Sequence, residues 1–295
     1  MDNDIILEVK KLKQHFKINS HMVVKAVDGI SFSVKKGEIF GLVGESGSGK
    51  STVAKTIMGL HNITDGEVYY KGFKISDRSV FAKNKKDIQK NMQIIFQDSS
   101  AALNQRMTIE KIIAEPIRVN HIINNKDVLN KKVSQLLNQV GLDESFKYKY
   151  PSEISGGQRQ RVAIARSISM NPDIIIADEP IASLDISIQA QIVTLFQKLQ
   201  KEYGFTFIFI AHDLSIIRFI SHRVGVMFQG KMVELAPTDE LFNNPLHSYT
   251  KSLLSAVPVP NPFYERNKKI LDFDIRTFDF NGVLEEVSPE HFVYK

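Results

Sequence analysis

The sequence contains no cysteine. Disulfides, cysteine-ligated zinc and cysteine-ligated iron–sulfur clusters are therefore excluded, and the composition suits a reducing compartment. Long hydrophobic runs are missing too. The longest apolar-rich stretch extends only from Phe205 to His212, whereas a membrane-crossing helix needs roughly 17–25 such residues. The first residues are acidic, with no apolar stretch leading to a small-residue cleavage site, so a signal peptide is not expected. Neither internal repeats nor low-complexity segments are visible.

What is present is ordinary globular material, 43% hydrophobic and 24% charged over 295 residues, enough to bury a sizeable core. That length fits one large α/β domain or two smaller ones. A net charge of +5 is compatible with nucleic acid, anionic lipid or polyphosphate ligands, and does not choose among them. The densest basic run, Lys83 to Lys90, carries no interleaved aromatic residue and reads as a solvated helix face or loop.

Short alternating runs at Ile5–Val9, Val23–Val27, Ile30–Val34 and Glu38–Val43, punctuated by Asp28-Gly29 and Lys36-Gly37, predict an antiparallel β layer feeding a central strand. A helix is expected over Lys50–Met58, and a hairpin strand at Val68–Tyr70. From about Asp98 to Met170 the pattern turns helical, with Val128, Val133, Leu136, Leu137 and Val140 at three- and four-residue spacing. Two continuous apolar runs, Ile174–Ala177 and Phe205–Ala211, read as parallel strands covered on both faces. The helix Ile186–Tyr203 between them completes a β-α-β unit. Beyond Pro258 the proline-rich, polar sequence predicts a loosely attached tail with a short hairpin around Asn281-Gly282.

The segment Gly44-Glu45-Ser46-Gly47-Ser48-Gly49-Lys50-Ser51 fits the phosphate-binding pattern G-x-x-x-x-G-K-[ST] between a strand and a helix. Glycines let backbone amides approach phosphate oxygens without a Cβ clash, and the helix N-terminus adds unpaired N–H groups and a positive dipole end. Lys50 is placed to reach the β- and γ-phosphates and the Ser51 hydroxyl to ligate Mg²⁺; Thr52 completes the binding set. On average composition such a match arises by chance in about one chain in a hundred of this length. Asp178 and Glu179 end a buried strand, where α/β sheets bind ligands. Asp178 is the candidate Mg²⁺ partner, directly or through water. Glu179 is the candidate base for the attacking water. Alone, an acidic pair at a strand end is as compatible with surface acids capping a helix.

Ser155-Gly156-Gly157-Gln158 narrows the reading. A serine and two glycines at a helix start form a second anion-binding nest. A chain with one lysine-bearing loop gains nothing from a second cradle, but two chains packed head to tail do, each capping the other's nucleotide. Here the sequence resembles the ATP-binding cassette family, whose signature is usually written LSGGQ, with Ile154 in place of the leucine. The resemblance implies an α/β P-loop NTPase core with a parallel sheet, an N-terminal antiparallel β layer and an inserted helical subdomain at about 98–171. The nucleotide-binding domain would span 1–258 and the tail 259–295.

It also implies roles that spacing alone does not give. Phe16 would stack on adenine, although core packing is its plain alternative. Gln97 would open the helical insertion and sense Mg²⁺ and the membrane partner. Ser183-Leu184-Asp185 would touch the opposite subunit. His212 would contact the γ-phosphate, where an isolated histidine ending a strand is otherwise satisfied locally.

Outside that shared core, Leu103–Ile109, Asp185–Gln191 and Asn244–Pro258 look like oligopeptide and dipeptide permease ATPases, most of all the F-type subunit. The implied function is ATP hydrolysis powering peptide import at the cytoplasmic face of the cell membrane. The implied partners are a D-type ATPase subunit, two transmembrane permeases and, indirectly, an extracytoplasmic solute-binding protein. Departures include Ser99 and Gln105 where prolines are common, Ile181 and Ala182 before Ser183, and no cysteine-rich segment near the C-terminus, so no iron–sulfur centre is expected. Import of another solute such as nickel or sugar oligomers is the alternative. A soluble cassette ATPase acting on nucleic acid would need two cassettes, a long coiled coil or zinc cysteines, and a P-loop kinase has no use for the second turn.

Overall fold

The computed structural model describes residues 4–258 and 268–295. Along the chain the elements are β1 (Ile5–Lys17), β2 (Val23–Lys35), β3 (Ile39–Val43), α1 (Lys50–Ile57), β4 (Asp65–Tyr70), β5 (Phe73–Lys74), α2 (Arg78–Asn91), β6 (Met92–Ile95), α3 (Ser99–Ala102), α4 (Ile109–Val119) and α5 (Lys126–Gln139). Then come α6 (Gly156–Ile168), β7 (Ile174–Asp178), α7 (Ile186–Tyr203), β8 (Thr206–Ala211), α8 (Leu214–Ile220), β9 (Arg223–Phe228), β10 (Lys231–Pro237), α9 (Thr238–Asn243), α10 (Ser248–Ala256), β11 (Leu284–Ser288) and β12 (His291–Tyr294). They fall into two compact units, Met1–Arg78 with Phe209–Lys295, and Ser79–Ile208.

The first unit holds the antiparallel sheet β2-β1-β4-β5. Its buried face alternates along both long strands, with Leu7, Val9 and Leu12 on β1 and Val27, Ile30, Phe32 and Val34 on β2, as a one-sided sheet requires. The short runs expected at Ile5–Val9 and Val23–Val27 are each part of a longer strand, because bulges absorb the irregularities. Lys11 takes a φ of 47° where the β1–β2 register shifts between Val9 and Leu12. Asp28-Gly29 is likewise a bulge and not a turn: Leu12 faces Ile30 and Lys13 faces Asp28, so Gly29 is the extra residue.

The same unit carries β3, buried at every position, parallel to β9. Beyond it β9, β10, β12 and β11 pair antiparallel in succession. The residues after 268 are therefore not a loosely attached tail. Phe273 and Phe278 pack on Phe228 with centroids 5.1 and 5.2 Å away. The fully buried Glu234 of β10 ties the pieces together. Its oxygens accept from Leu246 N and His247 N at 2.8 and 3.1 Å, and its Oε1 lies 2.8 Å from His291 Nε2 on β12. The hairpin turns at Glu290 (φ 59°), not at Asn281-Gly282, which lie before β11.

In the second unit β6 and β7 pair in parallel, Met92 opposite Ile174 through Ile95 opposite Ala177. The basic run Lys83–Lys90 lies on α2 with only Ile88 buried, a solvated face. Helix α5 is capped by Asn125, whose side chain accepts from Asp127 N and Val128 N. It buries Leu129, Val133, Leu136 and Leu137. Val128, expected on that face, is 51% exposed and Leu129 takes its place. Among the described residues no helix is long and apolar enough to cross a membrane.

One ion cluster fastens the bulge in β2. Asp28 lies 3.1 Å from Lys231 Nζ, 3.1 Å from His15 Nε2 and 3.8 Å from Lys25 Nζ. Burial pushes its carboxyl up, but the hydrogen bonds from Lys231 and His15 outweigh this and hold it below the ordinary 3.8. A depressed carboxylate stabilises the fold above its unfolded pKa and loses that contribution as pH falls through the folded value. Asp28→Asn should therefore lower stability by about 1–3 kcal/mol at neutral pH. The deficit should shrink as the pH drops below about 4, as read by denaturant titration at several pH values.

Candidate nucleotide site

Between β3 and α1 the chain forms a loop whose shape depends on two missing side chains. At Gly44 (φ 150°) a Cβ would lie 2.1 Å from the Met227 carbonyl oxygen, and at Gly49 (φ 105°) 2.1 Å from that of Ala26. The loop thus packs backbone to backbone against the end of β9 and the start of β2. Ser48 O also accepts from Gly230 N at 2.9 Å. Lys50, only 4% exposed, curls into this loop and donates to Gly44 O at 2.8 Å and Glu45 O at 2.9 Å, with Ser48 Oγ at 3.5 Å. The carbonyls hold the ammonium at the N-terminus of α1. Glu45, Ser46 and Gly47 are exposed on the same loop, and Ser51 and Thr52 follow half-buried in the first turn of α1. The sequence-expected set 44–52 is therefore one continuous structure.

Phe16, near the end of β1, is half-buried. His61 meets its ring edge-on, with centroids 5.3 Å apart and an 85° interplanar angle. His212 follows β8 directly and is exposed. These residues, with the loop, belong to the first unit.

The second unit holds the carboxylates and the second turn. Asp178 ends β7 at 4% exposure. Glu179 follows with φ 48°, an uncommon conformation for a non-glycine residue that often marks functional positions. Gln97 Nε2 donates to Glu179 Oε2 at 3.1 Å, so the structure joins two residues far apart in sequence.

At the start of α6, Ser155 Oγ accepts from Gln158 N at 3.3 Å and Gln158 Oε1 accepts from Ser155 N at 2.9 Å. This capping box accounts for the serine and the glutamine within one chain. The amides of Gly156 and Gly157 belong to the first turn, whose N–H groups a helix cannot satisfy from within. Asp185 is exposed at the N-cap of α7 without a side-chain cap bond.

Comparison with known proteins decides what this loop, acidic pair and turn belong to. The family described as ABC transporter matches residues 27–182, from β2 through the loop to the acidic pair. The chain belongs to the ABC transporter ATPases. A second family, described as the oligopeptide/dipeptide transporter C-terminal region, matches residues 233–272. The oligopeptide transport ATP-binding protein OppF of Bacillus subtilis is 51% identical over 98% of this chain and 95% of its own length. AmiF of Streptococcus pneumoniae, also named an oligopeptide transport ATP-binding protein, is 43% identical over 98% and 94%. Among solved structures, cbiO1 of Clostridium perfringens, part of a cbiONQ transporter complex, has a TM-score of 0.71 at 30% identity, covering 82% of this chain and 92% of its own. The cassette MJ0796, solved as a dimer with ADP and Pi, has a TM-score of 0.68 at 29% identity, over 79% and 98%.

In this ABC ATPase the structure adds two residues that the motifs did not reveal. One is His61 beside Phe16. The other is Tyr249, whose hydroxyl accepts from Glu45 N at 3.2 Å. No local spacing could have found Tyr249; its segment, Asn244–Pro258, stood out only by family likeness.

Gly49→Ala tests the backbone contact. Strain of about 1–3 kcal/mol falls on the loop expected to receive phosphate, so ATP affinity should drop about tenfold or more in a fluorescent-nucleotide titration.

Proposed function

We propose that this ABC ATPase powers the import of oligopeptides, sitting at the cytoplasmic face of the cell membrane. It would pair there with a related D-type ATPase subunit beneath two transmembrane permeases supplied by an extracytoplasmic solute-binding protein. The observation that carries the solute class is the likeness of residues 233–272 to the oligopeptide/dipeptide transporter region. Relatives with that name match over nearly the full chain. Import of nickel or sugar oligomers, and action on nucleic acid, have no such support.

In this reading Lys50 and the amides of 44–49 hold the β- and γ-phosphates of ATP, and Phe16 stacks on the adenine. Mg²⁺ fits the donors available: the Ser51 hydroxyl, the Asp178 carboxylate and the Gln97 amide are hard oxygen ligands, and this ion takes only one or two carboxylates besides phosphates and water. Bound there, it would neutralise charge on the transferring phosphoryl group. Glu179 polarises the attacking water and His212 holds the γ-phosphate. The Ser155–Gln158 turn and Asp185 act on the nucleotide bound by the mate. Closure of the pair draws on nucleotide binding energy to shift a two-state equilibrium. Gln97 passes that motion to the permeases through a helical insertion within 98–171 of a 1–258 nucleotide-binding domain.

Gly156 gives the cross-subunit role a clean test. A Cβ there would meet Leu184 Cδ2 at 3.5 Å, an ordinary contact, whereas one at Gly157 would fall 2.6 Å from Ile188 Cγ2. Among the described residues nothing demands glycine at 156. Gly156→Ala should preserve melting temperature yet slow hydrolysis of the nucleotide held by the mate, measured in heterodimers with one inactivated site. Loss at this chain's own nucleotide instead would reverse the assignment.

Glu179→Gln should lower turnover about 10²–10⁴-fold while ATP still drives dimer closure, measured by rapid-quench hydrolysis and size-exclusion chromatography. For the solute, the native complex in proteoliposomes should take up labelled oligopeptides with ATP, and Glu179→Gln should abolish uptake. ATPase stimulation by nickel chelates or sugar oligomers and not by peptides would overturn the peptide assignment.

A further inference from the structure

Both ends of one peptide plane in the phosphate loop are held by side chains. The plane between Gly44 and Glu45 presents its carbonyl to Lys50, whose Nζ donates to Gly44 O at 2.8 Å. It presents its amide to Tyr249, whose hydroxyl accepts from Glu45 N at 3.2 Å. Turning this plane would break both bonds together. The lysine that reads phosphate and the tyrosine of α10 are therefore mechanically linked through a rigid, planar unit.

Tyr249 is itself firmly placed. It is 1% exposed, with its ring 4.5 Å from that of Phe228 and 5.4 Å from that of Phe273. Its amide donates to His247 Nδ1 at 3.1 Å. The amide of His247 is bound in turn by the buried Glu234. Burial pushes the phenol up to about 12, so at neutral pH the group facing the loop is a neutral hydroxyl that competes with phosphate by no charge.

We propose that Tyr249 is a positioning residue for nucleotide binding. Its hydroxyl fixes the Gly44–Glu45 peptide plane and thereby the place of the Lys50 ammonium, so that α10 and the segment around Phe273 set the affinity of the phosphate loop. This rests on the reading of residues 44–51 as the ATP phosphate site. Tyr249 does not touch the reacting atoms, so the effect falls on binding more than on the chemical step.

The test uses the full-length chain with ATP as the probe, measuring equilibrium affinity, KM and kcat of hydrolysis, and melting temperature. Tyr249→Phe keeps the ring and removes the hydroxyl. It should raise the dissociation constant and KM about 3- to 10-fold, with kcat and melting temperature close to those of the unaltered chain. Phe228→Leu loosens the same socket but leaves the hydroxyl; it should lower the melting temperature with a smaller change in KM. Unchanged ATP affinity in Tyr249→Phe overturns the proposal, as does an equal KM shift in Phe228→Leu, which would make the effect one of packing alone. Lys50→Ala separates the two readings. If it still binds ATP normally, the phosphate-loop assignment fails. If it loses binding while Tyr249→Phe does not, only the positioning role of Tyr249 fails.

Discussion

The close approach of backbone to backbone around residues 44–49 is the constraint on which the first unit depends. Two glycines let carbonyls of β2 and β9 come within 2.1 Å of where a Cβ would stand. The loop is thereby pinned from both sides before any ligand arrives. That pinning allows Lys50 to be buried at 4% exposure with its charge satisfied by carbonyls of its own loop. An ammonium taken out of water without such partners would be strongly disfavoured. The bulge at Asp28-Gly29 then acquires a purpose. It brings Asp28 to Lys231 and places the Asp28 amide 2.8 Å from Gly230 O, next to the turn whose Gly230 amide bonds Ser48 O.

Much of this was legible in the sequence because it rests on local chemistry. The loop 44–52, the acidic pair at 178–179 and helix Ile186–Tyr203 each follow from local sequence, and the structure has the loop running from β3 into α1, Asp178 ending β7 with Glu179 next, and α7 over Ile186–Tyr203. What was illegible is long-range. Asp28-Gly29 has the composition of a turn, yet pairing across β1 makes it a bulge. Val128 is a local matter: it stands five residues before Val133, whereas Leu129 stands four before it and takes the buried face. The residues after 268 look like tail material by composition, but β12 pairs with β10 on one side and β11 on the other, and such strands are recruited by pairing more than by their own propensity.

The second turn shows how one motif can carry two kinds of constraint. Ser155 and Gln158 bond each other's backbone amides, so both are explained by helix capping without any ligand. Gly157 is explained by Ile188, which leaves no room for a Cβ. At Gly156, among the described residues, a Cβ would meet only ordinary contacts. That freedom makes Gly156 the position at which the proposed role toward a mate's nucleotide can be tested apart from helix capping and packing.

A similar separation applies to the C-terminal region. The general cassette match ends at residue 182 and the oligopeptide/dipeptide match begins at 233, as if one did chemistry and the other something unrelated. The structure joins them within the first unit. Tyr249, from the second segment, bonds Glu45 in the first, and the aromatic packing behind it extends to Phe273, just past that match. The loop of residues 44–49 is thus buttressed from α10, which lies in the segment matched by the oligopeptide/dipeptide family. A change at Tyr249 would therefore reach Lys50 through one peptide plane, without altering any residue of the loop itself.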